Sequence, residues 1–343
     1  MIYSPITIDK RSWMNLEEHP FIRPDQRFFT YNQYIQWRFG RRIHRVTIDA
    51  GFTCPNRDGT IATGGCTYCN NDGFSPAAQM FRAKVYLKPS VPVRKQIDDQ
   101  IPFLRKRFHT DQFLAYFQAY SNTYAPLKEL ESLYEEALAH PNIMGLAIGT
   151  RPDCIDTEKL HWLESIAKKY YVSIEYGCES IYDKTLQWVN RAHDYRCFVD
   201  TVEATAGRNI DITAHIILGF PTETREEMIA MADALSELPI DFIKIHNLHV
   251  VEKTALAFTY RSEPFHVFDK GEYVQLAADF IERLSPRIGI QRLYGDAPKD
   301  MLIAPNWLTN GSEMSKWVQD ELIRRGSYQG SRAMHLHTQN TTA

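Results

Sequence analysis

The sequence has no excess of charge of either sign. Its 39 lysines and arginines face 42 aspartates and glutamates in 343 residues, a net charge of -3, so no global basic field announces a nucleic acid. Only six cysteines are present, too few for a disulfide scaffold at this length. No apolar run approaches the roughly 18 to 20 residues needed to span a bilayer, and no membrane partner is expected. Residues 1–9 hold no basic run leading into an apolar stretch, so no signal peptide is expected, and the compartment is expected to be reducing and cytoplasmic. There is no fixed-period repeat and no low-complexity block. What is there, 44% hydrophobic and 12% aromatic residues, is the composition of a globular enzyme or binding protein with one large domain or two modest ones.

Residues 1–44 mix Trp13, Pro20, Pro24, Phe28, Phe29, Tyr31, Tyr34 and Trp37 without periodicity and read as an irregular aromatic and basic cap. From Arg45 short apolar runs alternate with longer stretches of helical period, the signature of βα units around a parallel sheet. Strands are predicted over 46–50, 113–118, 143–149, 172–176, 211–218 and 242–246. Pro126 is placed at the first position of a helix over 127–138. Asp156 and Asp194 precede helices over 157–169 and 195–206, and Thr222 precedes one carrying Glu226 and Glu227. A helix over 271–284 completes a core of residues 45–285. Residues 286–343 are assigned to a small α/β extension, with a strand near 292–294, a helix over 312–325 and a frayed polar tail from Gly326. Six units predict an α/β fold, a partial (β/α)6 barrel or a doubly wound sheet, and either sets chemistry in loops at the carboxyl ends of the strands.

After the first strand the chain runs Gly51-Phe52-Thr53-Cys54-Pro55-Asn56-Arg57-Asp58-Gly59-Thr60 and then Gly64-Gly65-Cys66-Thr67-Tyr68-Cys69-Asn70. Three of the six cysteines fall in this polar, glycine-rich loop, separated by eleven and two residues. A Cys-x2-Cys pair lets two thiolates grip one metal or cluster, and Cys54 closes in as a third. Two readings stay open. Structural zinc normally takes four protein ligands, and the segment supplies no fourth Cys or His; a four-iron cluster on three cysteines keeps one iron free for a chelating small molecule. Cys154, Cys178 and Cys197 are dispersed and read as small buried residues.

A three-cysteine loop after the first strand, with the aromatic Tyr68 just before the third cysteine, resembles the radical S-adenosylmethionine (SAM) superfamily. Its long first gap is similar to the loops of the Elongator catalytic-subunit type. Thr150-Arg151-Pro152-Asp153 is similar to the Elongator-type sequence after the third strand, with Gly149 where a glutamate is common. Glu175-Tyr176-Gly177-Cys178-Glu179-Ser180 resembles a Gly-Val-Gln-Ser turn, and Val189-Asn190-Arg191-Ala192-His193 an Asn-Arg-Gly-His segment. Ala214-His215-Ile216-Ile217-Leu218-Gly219-Phe220-Pro221 matches a strand with its Gly-x-Pro turn. With Tyr-Ser-Asn-Thr-Tyr-Ala-Pro from Tyr120 and Asp-Ala-Pro-Lys-Asp from Asp296, the chain resembles the YhcC/YtqA-type radical SAM proteins over nearly its whole length.

The resemblance implies a 4Fe-4S cluster on Cys54, Cys66 and Cys69, with SAM chelating the open iron. It implies Arg191 at the SAM carboxylate, Glu179 and His215 hydrogen-bonded to SAM, and Tyr68 packed on its adenine. Ala119, Tyr120 and Ser121, which replace a Gly-Gly-Glu or Gly-Gly-Thr segment, are expected at the SAM amino group. Reductive cleavage would then give a 5'-deoxyadenosyl radical that takes hydrogen from a substrate. A one-electron donor such as flavodoxin or ferredoxin is implied, and the substrate or the aromatic cap is expected to shield the radical. His246, Asn247 and His249, after the sixth strand, are expected to face the substrate. Arg41 and Arg42, in a basic stretch with Trp37 and Phe39 interleaved, and the knot Arg105-Lys106-Arg107 are read as contacts to an RNA backbone near the barrel mouth. The family's chemistry implies tRNA as partner and the 5-substituent of a wobble uridine as substrate. A small metabolite or a protein side chain is the alternative, and a noncatalytic zinc-binding module a third reading.

Overall fold

A computed structural model describes residues 19–70 and 91–333. In chain order its strands are β1 (His44–Ile48), β2 (Phe113–Phe117), β3 (Ile143–Thr150), β4 (Tyr171–Glu179), β5 (Asp211–Leu218), β6 (Phe242–Asn247), β7 (Val250–Val251), β8 (Gly289–Arg292) and β9 (Leu302–Ala304). The first six pair in parallel in sequence order, β8 adds beside β6, and β7 and β9 form a separate antiparallel ribbon. A strand order without reversal excludes the doubly wound alternative. The sheet also curls. Arg45 on β1 and Gln291 on β8, the two edges, both reach Glu175 on the middle strand β4, at 2.7 and 2.9 Å, whereas strands three apart in a flat sheet are about 14 Å apart.

Alternation along each strand divides the barrel wall. Ile212, Ala214, Ile216 and Leu218 of β5 join the core packed under the helices, so Thr213 and His215 face the interior. All six predicted strands are present, although β1 begins two residues earlier than expected and β4 continues to Glu179. The seventh, β8, corrects the six-unit reading, because it lies in the stretch assigned to an extension and starts before the strand expected near Arg292. Its Gly-Ile-Gln-Arg sequence shows no apolar run because Gln291 serves a polar interior. Gly289 is required where a Cβ would meet the Phe242 ring at 2.6 Å.

Asp156 and Asp194 cap their helices as expected, accepting from the backbone N–H of Lys159 and Cys197. Thr222 does not. Thr224 caps the helix Arg225–Ser236, because Glu227 sits three residues on and completes a capping box. Pro126 stands one position ahead of the helix Leu127–Leu138, and Lys270–Arg283 is opened by an Asp269–Glu272 box.

The amino-terminal segment is more ordered than expected. Thr30 and Gln33 form a capping box for a helix over Tyr31–Phe39, and Gly40 ends it in the left-handed region. Phe21, Phe29, Tyr31, Tyr34 and Ile35 pack on Leu114, Tyr171 and Phe242, which lie at or next to the starts of β2, β4 and β6. The described part of the aromatic segment, from residue 19, therefore plugs the amino-terminal end of the barrel and not the mouth, while Trp13 lies outside the described residues. The predicted fraying from Gly326 is also corrected as far as residue 333. Gln329 is fully buried, accepts from Phe29 N and donates to the carbonyls of Ser285 and Ile288. Among the described residues no helix is long and apolar enough to cross a membrane.

Candidate active site

Inside the barrel, below its mouth, Glu175 is fully buried and meets side chains from five other strands. Arg45 (2.7 Å) and Gln291 (2.9 Å) reach Oε1. Tyr116 OH (2.8 Å), Lys244 Nζ (2.9 Å) and His215 Nε2 (2.9 Å) reach Oε2, and Lys244 also donates to Tyr116 OH at 2.7 Å. Burial opposes the charge of Glu175, but Arg45, Lys244 and the His215 hydrogen bond outweigh it and hold the carboxyl well below its usual range. Burial pulls Lys244 down to about 7 against the attraction of Glu175. Burial and the Lys244 charge bring His215 down to about 4, so its ring is neutral at pH 7. An ionised carboxylate at Nε2 places the single ring proton there, which leaves Nδ1 an acceptor.

Above this floor a cavity of about 170 Å³ is lined by Cys54, Cys66 and Cys69 together with Tyr68, Glu179, Arg191 and His215. The cysteine loop is held by the segment after β4. Asn190 Nδ2 donates to Gly65 O (2.9 Å), Asn56 Nδ2 to Asn190 O (2.6 Å), and Thr67 N to Val189 O (2.9 Å). Arg191 Nη1 and Asn56 Nδ2 stand 3.6 and 3.5 Å from Cys66 Sγ, and Arg57 Nη2 donates to Cys69 O at 2.8 Å. Burial pushes the Cys69 thiol up to about 11, Cys66 and Cys54 adding and Arg57 opposing, so a bound metal has to displace its proton. Among the described residues no three His, Cys, Asp or Glu side chains converge on a single ion, while the three thiols do share one cavity wall. Zinc needs each sulfur about 2.3 Å away; a four-iron cluster is met at separate irons. Three thiols flanked by two guanidiniums and an amide suit an anionic iron–sulfur cluster.

The β4 end explains the position of Glu179. The pairing register shifts between Gly177 and Glu179, and Glu179 adopts φ 67°, a bulge that re-aims its side chain. Its carboxylate lies 3.6 Å from Arg191, whose Nη2 donates to Gly177 O at 2.6 Å. A Cβ on Gly177 would meet Arg191 at 2.5 Å and Glu179 at 2.6 Å. Arg151, forked onto Asp153 at 2.8 and 2.6 Å, keeps a buried Nη1 with no hydrogen-bond partner among the described residues, a donor suited to a polar ligand in the cavity it lines.

A second cavity of about 170 Å³ shares Tyr68, Cys69, Gln118, Glu179, His215 and His246 with the first and continues to Asn247, His249, Arg292 and Asp296. Asn247 Nδ2 and His249 Nε2 are 2.9 Å apart. Burial, with the charge of Arg292, brings His249 down to about 4 and His246 well below its usual range.

The structure thus gathers the three cysteines, Tyr68, Tyr120, Ser121, Glu179, Arg191, His215, His246, Asn247 and His249 around one connected space. Ala119 is not on its wall; it is buried beside the lining residues Gln118 and Tyr120. Arg41 and Arg42 are also excluded. They precede β1, at the plugged end, where Thr110 donates to Arg42 O at 2.7 Å and the His44 ring stacks on Phe108 at 3.7 Å. The knot Arg105-Lys106-Arg107 is at the same end, in the last turn of the helix Val93–Phe108, where cations favour the helix dipole. The sequence alone does not point to Glu175, Lys244, Arg57, Arg151 or Arg292 as site residues. Charged residues in otherwise apolar strands were the available signal for the first two.

Residues 57–235 match the model of the Radical SAM superfamily, and residues 240–324 that of the Radical_SAM C-terminal domain. YtqA of Bacillus subtilis is 33% identical over 91% of this chain and 94% of its own length. Protein YhcC of Escherichia coli is 34% identical over 80% of this chain and 85% of its own. A tRNA uridine(34) acetyltransferase of Methanocaldococcus infernus is 21% identical over 52% of this chain and 33% of its own. Among solved structures, the archaeal Methanocaldococcus infernus Elp3 with an N-terminal deletion superposes with a TM-score of 0.59 at 16% identity, over 69% of this chain and 59% of that one.

Proposed function

The chain belongs to the radical SAM superfamily, in the group of YtqA and YhcC, and from that premise we propose that its substrate is the 5-substituent of a tRNA wobble uridine. It is a radical SAM enzyme with a 4Fe-4S cluster and SAM as cofactors, and the noncatalytic zinc reading falls. The similarity to a tRNA uridine(34) acetyltransferase carries the uridine proposal. The second cavity supports it, since Gln118, His246, Asn247 and His249 offer hydrogen-bonding groups for the edge of an extruded base.

When bound, the cluster and SAM supply one-electron cleavage of a carbon–sulfur bond and a carbon radical that takes hydrogen from a substrate carbon. Cys54, Cys66 and Cys69 would hold the cluster. Arg191 would receive the SAM carboxylate, Tyr68 would cover the adenine, Tyr120 and Ser121 would meet the amino group, and Glu179 and His215 Nδ1 would accept from SAM hydroxyl groups. The barrel wall and the aromatic plug keep bulk water out from below. A flavodoxin or ferredoxin in the cytoplasm supplies the electron.

Mass spectrometry of tRNA nucleosides with and without the gene tests the reading: a changed wobble-uridine profile is expected, and an unchanged one rejects it. One observation favours a smaller substrate. The basic residues expected to hold RNA lie at the plugged end, away from the mouth. SAM-dependent 5'-deoxyadenosine formation driven by a tRNA-free metabolite fraction, and not by tRNA, would establish that second reading.

A further inference from the structure

Arg292 ends β8 and shares the wall of the second cavity with Tyr68, Cys69, His246 and His249. Its Nε donates to Tyr294 O at 2.6 Å, which fixes the guanidinium plane. Among the described residues its Nη atoms have no hydrogen-bond partner; Nη2 makes a long ion pair with the exposed Asp296 carboxylate on the same wall, 3.9 Å away and beyond hydrogen-bonding reach. The interior carboxylates already have cations within the protein. Glu175 is met by Arg45 and Lys244, and Glu179 by Arg191. The imidazoles of His215, His246 and His249 are neutral at pH 7, and the Arg292 charge helps to keep them so.

We propose that Arg292 binds a carboxylate carried by the substrate, the two oxygens meeting its Nη groups as a fork, with His246 and His249 as polar neighbours. This rests on the second cavity being the substrate side of the radical SAM site, and it sharpens that reading: the group presented there is anionic rather than a neutral amide or an ammonium. A fixed guanidinium plane suits a two-oxygen anion, and a lysine at the same place would keep the charge and lose the fork. A backbone phosphate is the other oxyanion able to use such a fork. The cavity wall shared with Cys69 and His215 favours a group next to the reacting carbon.

The test is binding to the anaerobically reconstituted holoenzyme with SAM present, measured by ligand-observed NMR. The probes are 5-carboxymethyluridine against its amide, propionate against propionamide, and inorganic phosphate. The wild type is expected to prefer each acid by roughly tenfold. Arg292→Gln is expected to bring the ratio near one, and Arg292→Lys to leave it between, with a melting curve reporting that each variant folds. Equal binding of acid and amide by the wild type overturns the proposal, as does an acid preference that survives in Arg292→Gln. Phosphate outcompeting both acids assigns the residue to an RNA backbone and overturns it too. An Arg292-dependent preference for propionate without nucleoside binding upholds the anion site while removing the uridine reading; nucleoside binding without an acid preference does the reverse.

Discussion

At the amino-terminal end of the barrel Phe29, Tyr31 and Tyr34 close on Phe242, with ring centroids 4.9 to 6.5 Å apart, while at the carboxyl end cysteines, histidines, arginines and a buried carboxylate surround open space. Both ends are made from the same strands. One end uses apolar rings, which lose nothing by excluding water. The other keeps polar groups, such as Arg151 Nη1 and Ser121 Oγ, whose partners are incomplete among the described residues and which suit a polar ligand. Stability and chemistry are thereby separated along the barrel axis, with Glu175 and its neighbours at the boundary.

The largest expected effect comes from Cys66→Ala. It should reduce iron from about four per chain to a small residue and abolish SAM-dependent 5'-deoxyadenosine formation, as read by iron assay and chromatography. Full iron and activity in that variant would end the cluster assignment. Next is Glu175→Gln at the boundary, which leaves Arg45 and Lys244 without a buried counter-charge. Loss of one partner from a buried pair costs about 3–5 kcal/mol, measurable by urea denaturation. Phe242→Ala in the plug should cost about 3 kcal/mol or more while the folded fraction still cleaves SAM; equal loss of specific activity would show that the two ends are not separable.

A pH comparison sharpens the boundary further. Lys244 titrates near 7 in the folded chain and near 10.4 when unfolded, so between those values the unfolded state binds more protons and this residue makes stability rise with pH. Lys244→Met should flatten that slope, read from unfolding at pH 7.5 and 9.5; an unchanged slope would mean that Lys244 keeps an ordinary pKa. The smallest effect is expected at the plugged end. Replacing Arg41 and Arg42 together by Ala should leave 5'-deoxyadenosine yield within about twofold, since exposed charges remote from a site contribute little.

The same division explains what the sequence made legible. Strands such as 211–218 show themselves because the outer wall needs Ile212, Ile216 and Leu218, and the cysteine loop shows itself by spacing alone. β8 stays hidden because its inward Gln291 serves a polar partner that only folding brings near. Arg41 and Arg42 mislead because proximity to Cys54 in sequence is crossed by a whole strand, which carries them to opposite ends of the barrel. Ala119 misleads by one position of alternation. Glu175 is invisible as a hub because its partners lie up to 130 residues before and 116 after it in sequence.

Those partners give the hub a mechanical meaning. A closed barrel holds its radius with a continuous ring of backbone hydrogen bonds, whereas this sheet ends at β1 and β8. Arg45 and Gln291 tie both edges to the same oxygen of one carboxylate, Oε1 of Glu175, so Glu175 acts as a tie-rod across the gap and sets how far the walls can spread. A barrel braced at its floor cannot widen there to admit a larger substrate. Adaptation to a new one has to be made at the rim, through residues such as His249, Arg292 and Asp296.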